Sequence, residues 1–346
     1  MNKTMNVAII GLGRLGMVHL NNITSYGKGI RVVAVVDKIN ARAEEIASEY
    51  NIEAFSDSPV DACKNPKVDA VVITTPTDTH GELIIEAAKN KKHIFVEKPI
   101  SHSLEQTKEI LEAVQENNVL CQVGFMRRFH PKFMEAKQKI DQGAIGKPVY
   151  LKGFTRDNPP DKYAMSPKRD FLKTSGRIFL DLAIHDFDLA RYLLGSEVKA
   201  LRSSGKIICN PFMEEYGDVD QASTYIEFES GAVADIESSR NSPYGFDSGV
   251  EIIGTEGAIQ IPTIRDYQVS VLTATDRSEL GSIFPANMEQ SYLNEMIEFI
   301  DTIHNGNESP CSAADGVAAL EISEAAQKSM DTGETVLISR KASVQS

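Results

Sequence analysis

Short apolar runs alternate with amphipathic stretches from the start of the chain to residue 123. The runs lie at residues 7–10, 32–36, 70–74, 94–96 and 119–123, with a weaker one near 53–55. They are rich in valine and isoleucine, which is typical of strands buried on both faces of a parallel sheet. Helix-like segments separate them, at residues 15–25, 41–50, 81–90 and 104–117. This alternation predicts right-handed βαβ units and therefore a doubly wound domain.

The pattern changes after Gly124, where apolar and polar residues begin to alternate. Three runs predict strands of a mainly antiparallel sheet, at residues 222–228, 232–238 and 250–253. Gly231 and residues 255–257 supply turns between them. Four acidic residues alternate with the apolar ones, namely Glu227, Glu229, Asp235 and Glu237. One face of this sheet is therefore expected to be wet or to pair with a second subunit.

Helical patterns near residues 290–304 and 315–328 follow the predicted sheet. The expected fold class is thus α/β, with an N-terminal doubly wound parallel sheet and a C-terminal α+β domain that holds a large, mainly antiparallel open sheet. We place the two domains at residues 1–124 and 125–346. The late helices could pack back on the first domain, so this boundary is soft.

Composition narrows the class of protein. A chain of 346 residues favours two domains over one. The net charge of −13, with no basic stripe, argues against a nucleic-acid partner. The four cysteines form no CxxC pair, which favours reduced thiols over a metal site. Residues 1–10 lack the pattern of a secretory signal, and no stretch approaches the roughly 20 apolar residues of a membrane span. We expect a cytoplasmic protein with no membrane partner and no metal.

Gly11, Gly13 and Gly16 form a G-x-G-x-x-G motif between the first strand-like run and the first helix-like run. This motif allows a tight turn, a close approach of the backbone to a pyrophosphate and close packing of helix on strand. Asp37 ends the second strand, about 20 residues after the last glycine, where a carboxylate accepts hydrogen bonds from the adenosine ribose. The motif predicts a Rossmann domain that binds NAD in preference to NADP. An ordinary turn at Asp37 is the alternative, and Lys38 beside it would tolerate a phosphate.

Lys98 follows the strand-like run at residues 94–96, at the sheet edge where open α/β sheets bind ligands. A lysine there can stabilise a developing alkoxide, although a solvated lysine at a strand end is the alternative. Pro99 makes a cis Lys98–Pro99 bond possible. The hydroxyls and proline of residues 74–79 could contact the cofactor ribose, whereas for His80 we favour closing the following helix. The candidate cofactor-binding residues are Gly11, Gly13, Arg14, Leu15, Gly16, Asp37, Thr75, Pro76, His80, Glu97 and Lys98.

Asp181 and His185 are four residues apart in a largely apolar helical segment, and Asp188 follows one turn later. Asp181 could hold the tautomer of His185, which could then take a proton from a substrate hydroxyl. A buried Asp–His hydrogen bond that only fixes the helix is an equal alternative, and a metal site is a weaker one. Taken with the glycine motif and Lys98, these residues indicate hydride transfer from a hydroxyl to a nicotinamide.

Five motifs resemble the glucose–fructose oxidoreductase/inositol dehydrogenase (Gfo/Idh/MocA) family, in order along nearly the whole chain. They are Gly-Leu-Gly-Arg-Leu-Gly at 11–16, Thr-Pro-Thr-Asp-Thr-His at 75–80, Glu-Lys-Pro at 97–99, Gly-Phe-Met-Arg-Arg-Phe at 124–129 and Phe-Leu-Asp-Leu-Ala-Ile-His-Asp-Phe-Asp at 179–188. The last two, with Thr-Arg-Asp at 155–157, look most like bacterial inositol 2-dehydrogenases.

This resemblance implies a catalytic set of Lys98, Asp181 and His185, with His185 as the base. The substrate-binding residues that it implies are Lys98, Arg127, Asp157, Asp181, His185, Asp188 and Tyr244. The expected reaction is the NAD-dependent oxidation of myo-inositol to 2-keto-myo-inositol in a homotetramer formed through the C-terminal sheet. The alternatives are scyllo-inositol or another sugar or polyol as substrate and, from another class, a non-catalytic NAD-binding regulator.

Two departures from the family pattern bear on the substrate. Gly176-Arg177 stands where relatives often have paired glycines, so an arginine could reach the pocket. The stretch at residues 158–174 looks longer than usual. Both could change which polyol fits, so the predicted substrate depends on them more than the reaction does.

Overall fold

The structure is a computed structural model that describes residues 4–159, 172–263 and 286–338. Its described residues divide into two compact units. The first comprises the residues up to Phe129 together with Gln290–Ala318, and the second comprises those between His130 and Glu289 and those from Ala319 onward. Of the segment at 158–174, which departs from the family pattern, residues 160–171 lie outside the described residues.

The first unit is built on a six-stranded parallel sheet, as its apolar runs predict. The strands are β1 (Met5–Ile10), β2 (Ile30–Val36), β3 (Ala54–Ser56), β4 (Ala70–Ile73), β5 (His93–Glu97) and β6 (Cys121–Gly124). Their order in the sheet is β3-β2-β1-β4-β5-β6. The strands β2 and β3 lie on one side of β1, and β4, β5 and β6 lie on its other side. Doubly wound sheets bind ligands where the order of the strands reverses in this way, here between β1 and β4.

Helices connect these strands. They are α1 (Arg14–Tyr26), α2 (Asn40–Glu49), α3 (Pro59–Lys64), α4 (His80–Lys89) and α5 (Leu104–Asn117). The short α3 is absent from the sequence-based prediction, because its six residues span less than two turns. Ser103 caps α5 by accepting a hydrogen bond from the Gln106 backbone N–H at 3.4 Å. The Gln106 side chain, however, accepts a hydrogen bond from the Ser101 hydroxyl at 2.9 Å.

The core of the first unit combines residues of the parallel sheet with residues from a late part of the chain. Val7, Val35 and Phe95 are buried at the centre of the parallel sheet. Phe299 belongs to the same cluster, and its ring lies 5.8 Å from that of Phe95. The late helical pattern therefore contributes to the core of the first unit.

The second unit contains a seven-stranded mixed sheet in its described part. The strands are β7 (Pro148–Arg156), β8 (Val198–Lys206), β9 (Gln221–Phe228), β10 (Val233–Ser239), β11 (Asp247–Gly254), β12 (Ala258–Ile261) and β13 (Val336–Leu337). Their order is β12-β11-β7-β10-β9-β8-β13. The pair β7–β10 is parallel and the other pairs are antiparallel, so the prediction of a mainly antiparallel sheet is confirmed.

The remaining helices are α6 (Pro131–Asp141), α7 (Ile184–Leu194), α8 (Ala286–Asn305) and α9 (Ala313–Thr332). A π-helical turn, Phe179–Ala183, leads directly into α7. Gly195 ends α7 in a left-handed conformation, as its position after the apolar segment predicts. Within the described ranges, no helix has both the length and the apolar character needed to cross a membrane.

Candidate active site

Backbone packing explains two glycines of the G-x-G-x-x-G motif. Gly11 follows β1 with φ at +97°, and its N–H donates to the Val36 carbonyl at 2.8 Å. A Cβ on Gly16, in the first turn of α1, would lie 1.9 Å from the Gly11 carbonyl oxygen. That same oxygen accepts a hydrogen bond from the Thr74 hydroxyl at 2.6 Å. The loop is therefore held tightly between β1, β2 and β4.

Gly13 has a different environment. It is the N-cap of α1, and a Cβ placed on it would meet no atom of the described chain within 4 Å. No described side chain caps this helix N-terminus, and its first turn carries no acidic residue. A helix N-terminus with open space before it suits a phosphate group, because its N–H groups and dipole favour negative charge. These features fit the pyrophosphate of a dinucleotide.

We expect Gly13→Ala and Gly16→Ala to have separate effects. The added methyl at position 13 meets no described protein atom, so the melting temperature should stay unchanged while the Kd for NAD rises about tenfold or more. The methyl at position 16 collides with backbone and should cost about 1–3 kcal/mol of stability. Thermal melting and NAD titration of both variants check this. Unchanged NAD affinity in Gly13→Ala would contradict the assignment of the phosphate site.

The Asp37 side chain is hydrogen-bonded to the backbone of the glycine loop. Its carboxylate accepts hydrogen bonds from the backbone N–H groups of Leu12, at 2.9 Å, and Ile39, at 3.0 Å. The Nε of Arg42 donates to the Leu12 carbonyl at 2.9 Å, which adds a guanidinium that sequence reasoning missed. Lys38 is exposed. Asp37 thus has the turn-forming role considered above, and its contact with the ribose stays a prediction.

His80 joins the segments that follow β4 and β5. Its ring nitrogens lie 2.8 Å from the Pro99 carbonyl oxygen and 2.9 Å from the Thr75 carbonyl oxygen. Burial lowers the pKa of His80, although both backbone contacts oppose this effect. The ring therefore ties two loops together, beyond the helix-closing role expected for it. Lys98 lies at one of these loops, and its peptide bond to Pro99 is cis.

The side chain of Glu97, which precedes Lys98 in sequence, is buried. Its Oε1 lies 2.8 Å from Nε2 of His19, a residue of α1. Sequence reasoning missed His19, although a histidine within the apolar stretch that follows the glycine motif was a visible signal. A contact between Glu97 and the cofactor stays a prediction.

Asp181 lies in the π-helical turn of the second unit, so the segment is not the continuous α-helix that its spacing predicts. Single π turns inside helices occur frequently at functional sites. The Asp181 Oδ2 accepts a hydrogen bond from Nη2 of Arg240 at 3.0 Å. The same nitrogen lies 3.9 Å from Oδ2 of Asp218. His185 and Asp188 follow on α7, and both are buried.

Arg240 is a partner of Asp181 that sequence reasoning missed in this unit. It directly follows β10, and its side chain is 2% exposed. Burial acts to lower the pKa of Arg240, but Asp181, Asp218 and Asp157 outweigh it and raise that pKa. Burial raises the pKa of Asp218, with Arg240 opposing. The cation therefore serves at least two carboxylates, of which that of Asp218 is buried and that of Asp181 is partly exposed.

Asp157 lies near enough to this cation to raise its pKa, and Tyr244 contacts Arg156 at the end of β7. The backbone N–H of Asp157 donates to the Ser239 carbonyl at 2.7 Å, at the end of the β7–β10 pair. The Tyr244 hydroxyl accepts a hydrogen bond from Nη1 of Arg156 at 3.3 Å. Arg156 also donates to both Glu237 carboxylate oxygens, at 2.9 and 2.7 Å. Three residues thus lie at the end of this strand pair, namely Asp157, Arg240 and Arg156, which is the hydrogen-bond partner of Tyr244.

The remaining predicted residues lie elsewhere. Arg127 is buried in a short 3₁₀ turn after β6, in the first unit. Arg177 is exposed and has φ at +71°, a left-handed conformation that is uncommon for a residue with a long side chain. This conformation gives a physical reason for the glycine that relatives often have at the position.

Comparisons with known proteins agree with these features. The model of the oxidoreductase family with an NAD-binding Rossmann fold matches residues 5–125, and the model of its C-terminal alpha/beta domain matches residues 137–338. A scyllo-inositol 2-dehydrogenase (NAD(+)) of Bacillus subtilis is 46% identical, with 99% of this chain and 98% of the relative covered. A myo-inositol 2-dehydrogenase of Thermotoga maritima is 35% identical, with 96% and 98% covered.

A solved structure shares the fold over nearly the whole chain. It is scyllo-inositol dehydrogenase from Lactobacillus casei with bound NAD(H) and scyllo-inositol, with a TM-score of 0.86, 27% identity and coverage of 97% of this chain and 99% of that one. The predicted resemblance, the Rossmann fold and NAD as cofactor are thereby confirmed. The chain belongs to the Gfo/Idh/MocA family of oxidoreductases, and its residues 5–125 form the NAD-binding Rossmann domain of that family.

Proposed function

We propose that this chain is an NAD-dependent inositol 2-dehydrogenase, which oxidises the C2 hydroxyl of an inositol ring to a ketone. The observation that carries the proposal is full-length similarity, at 46% and 35% identity, to two relatives named for this reaction. The features at Gly13 that suit a pyrophosphate support the cofactor part.

The proposed mechanism divides the chemistry among three side chains. Bound NAD supplies a hydride acceptor. The ammonium of Lys98 stabilises the negative charge that develops on the substrate oxygen, and His185 accepts the hydroxyl proton. Asp181, whose Oδ2 accepts a hydrogen bond from Arg240, orients His185 or binds the substrate. Proton loss and hydride loss occur together or nearly so.

The identity of the preferred inositol is a finer proposal. Scyllo-inositol and myo-inositol are epimers at C2, so oxidation of either at this carbon gives the same ketone. The motifs favour myo-inositol, whereas the relative with the higher identity of the two is named for scyllo-inositol. We propose that scyllo-inositol is preferred and that myo-inositol is the second candidate.

Four further residues are proposed to bind substrate hydroxyls, namely Arg127, Asp157, Asp188 and Tyr244.

We also propose that the protein is cytoplasmic and that it forms a homotetramer through the outer face of the seven-stranded sheet. Tyr225, Ile253 and Leu337 are exposed apolar side chains on strands of this sheet, which supports burial in an assembly. Light scattering in solution would give the mass of the assembly.

The test is nicotinamide reduction by the purified protein with scyllo-inositol, myo-inositol and glucose, each with NAD and with NADP. We expect activity with NAD and an inositol, with the higher kcat/KM for scyllo-inositol. A higher kcat/KM for myo-inositol would reverse the assignment of the epimer and leave the mechanism intact. NAD binding without turnover of any polyol would contradict the proposal and favour a regulatory protein.

A further inference from the structure

Three ionisable side chains meet in the interior of the first unit, away from the glycine loop. They are His19 of α1, Glu97 at the end of β5 and Glu295 of α8. His19 and Glu295 are each 0% exposed, and Glu97 is 5% exposed. One potential ligand atom from each of the three lies within 4.8 Å of the others.

The surroundings of this triad are largely apolar and exclude water. The His19 ring packs edge-on against Phe95, at 5.0 Å, and against Tyr292, at 5.9 Å. Neither carboxylate oxygen of Glu295 has a hydrogen-bond partner among the described residues. An ionised carboxylate in such a place would be very costly, so its charge must be neutralised.

Charged groups face the triad from several elements. Burial and the neighbouring Glu97 raise the pKa of Glu295 well above its ordinary value. Burial, Glu97 and Glu295 likewise raise the pKa of Tyr292, on which Arg14 and Arg127 act in the opposite sense. The two arginines lie near enough to influence Tyr292, but Glu295 is influenced chiefly by burial and by another carboxylate.

A metal ion or a proton could neutralise this cluster, and one distance discriminates between them. Two ligands bound at about 2.1 Å to one ion lie about 3.0–3.4 Å apart in octahedral or tetrahedral geometry. The Nε2 of His19 and the Oε1 of Glu97 are 2.8 Å apart, which is an ordinary hydrogen-bond distance. The geometry therefore favours protons over a metal ion.

We propose that Glu295 is a neutral carboxylic acid and that it packs beside the hydrogen-bonded pair of His19 and Glu97 in a buried triad that positions Lys98. The proposal rests on the proposed function, because it takes Lys98 as the reactive lysine. Lys98 lies between two anchored neighbours: His19 holds the Glu97 side chain, and His80 holds the Pro99 carbonyl. Glu295 completes the buried side of this arrangement, so it is a positioning residue that does not touch the substrate.

The protonation state can be measured without substrate. We expect the infrared difference spectrum of wild type minus Glu295→Gln, recorded at neutral pH, to contain the C=O stretch of a protonated carboxylic acid. Glu298→Gln is the matched control, because Glu298 lies on the same helix but is exposed, and its difference spectrum should show a carboxylate. A carboxylate spectrum for Glu295, or a stoichiometric metal ion in the purified protein, would overturn the proposal.

Kinetics test the positioning role. Glu295→Gln keeps a neutral polar group of the same shape next to Glu97, so its kcat should stay within about twofold of wild type, whereas Glu295→Leu removes that polar group and should lose about tenfold. Rescue by glutamine but not by leucine distinguishes positioning from a need for negative charge. A tenfold loss in Glu295→Gln, or full kcat in a folded Glu295→Leu, would overturn it. If Glu295→Leu does not fold, the glutamine variant and the infrared spectrum still decide. If no polyol is oxidised, the proposed function fails but the infrared result stands on its own.

Discussion

Replacing His185 by alanine should lower kcat by about 10²–10⁴-fold, which is the usual contribution of a general acid–base group. Replacing Lys98 by alanine should have an effect of similar size, because the developing alkoxide then has no ammonium beside it. Both variants should still bind NAD, since the glycine loop and Asp37 are untouched. The measurements are steady-state kinetics with an inositol and titration with NAD.

The pH profile separates the two roles. Histidine titrates between about pH 5 and 8, and a protonated imidazole cannot accept the substrate proton, so oxidation by the wild type should slow as the pH falls. His185→Ala should lose this acid limb, whereas Lys98→Ala should keep it. His102→Ala and Lys89→Ala are controls, because both residues are exposed and belong to no proposed site. Full activity in either active-site variant would remove that residue from the mechanism.

The parallel sheet could be predicted from local patterns because its central strands are covered on both faces. β1 and β4 are buried along nearly their whole length, so each appears as a continuous apolar run. β3 is half-buried, and its run is correspondingly weak. In the mixed sheet, β7 and β8, which carry lysines and arginines, are absent from the sequence-based prediction.

The contacts that hold the candidate catalytic residues could not be predicted in the same way. His19 and Glu97 are 78 residues apart, and Asp181 and Arg240 are 59 residues apart. Side chains so far apart in sequence meet because whole strands and helices pack, and no local spacing encodes that packing. Short motifs could therefore identify Lys98, but not the residues that fix it.

Periodicity nevertheless carried two signals of these partners. Arg240 shares the two-residue period of Ala234 and Ile236, both of which are buried on β10, so this period places its side chain on the buried face. Glu295 falls between Tyr292 and Phe299 on the apolar face of α8. A charged residue on an apolar face needs a partner, which makes such positions worth identifying before a structure is known.

Arg240→Met should lower the free energy of unfolding by about 3–5 kcal/mol, the usual cost of removing one partner from a buried ion pair. The guanidinium is buried, with Asp181 at 3.0 Å and Asp218 at 3.9 Å, so its loss removes the cation from two carboxylates at once. Turnover should also fall, because Asp181 loses the group that holds it. Denaturant unfolding and kcat check this, with the exposed Arg202→Met as control, expected within about 0.5 kcal/mol of wild type.

Adding Asp218→Asn to Arg240→Met separates stability from catalysis. Burial already raises the pKa of Asp218, and an asparagine there still accepts the backbone hydrogen bonds of Ile178 and Val219, at 3.0 and 2.8 Å. The double variant therefore buries one charge fewer and should regain part of the lost stability. Its kcat should stay low, because Asp181 still lacks the arginine. Recovery of both stability and kcat would mean that Arg240 acts on the fold alone, and wild-type stability of Arg240→Met would contradict the ion network itself.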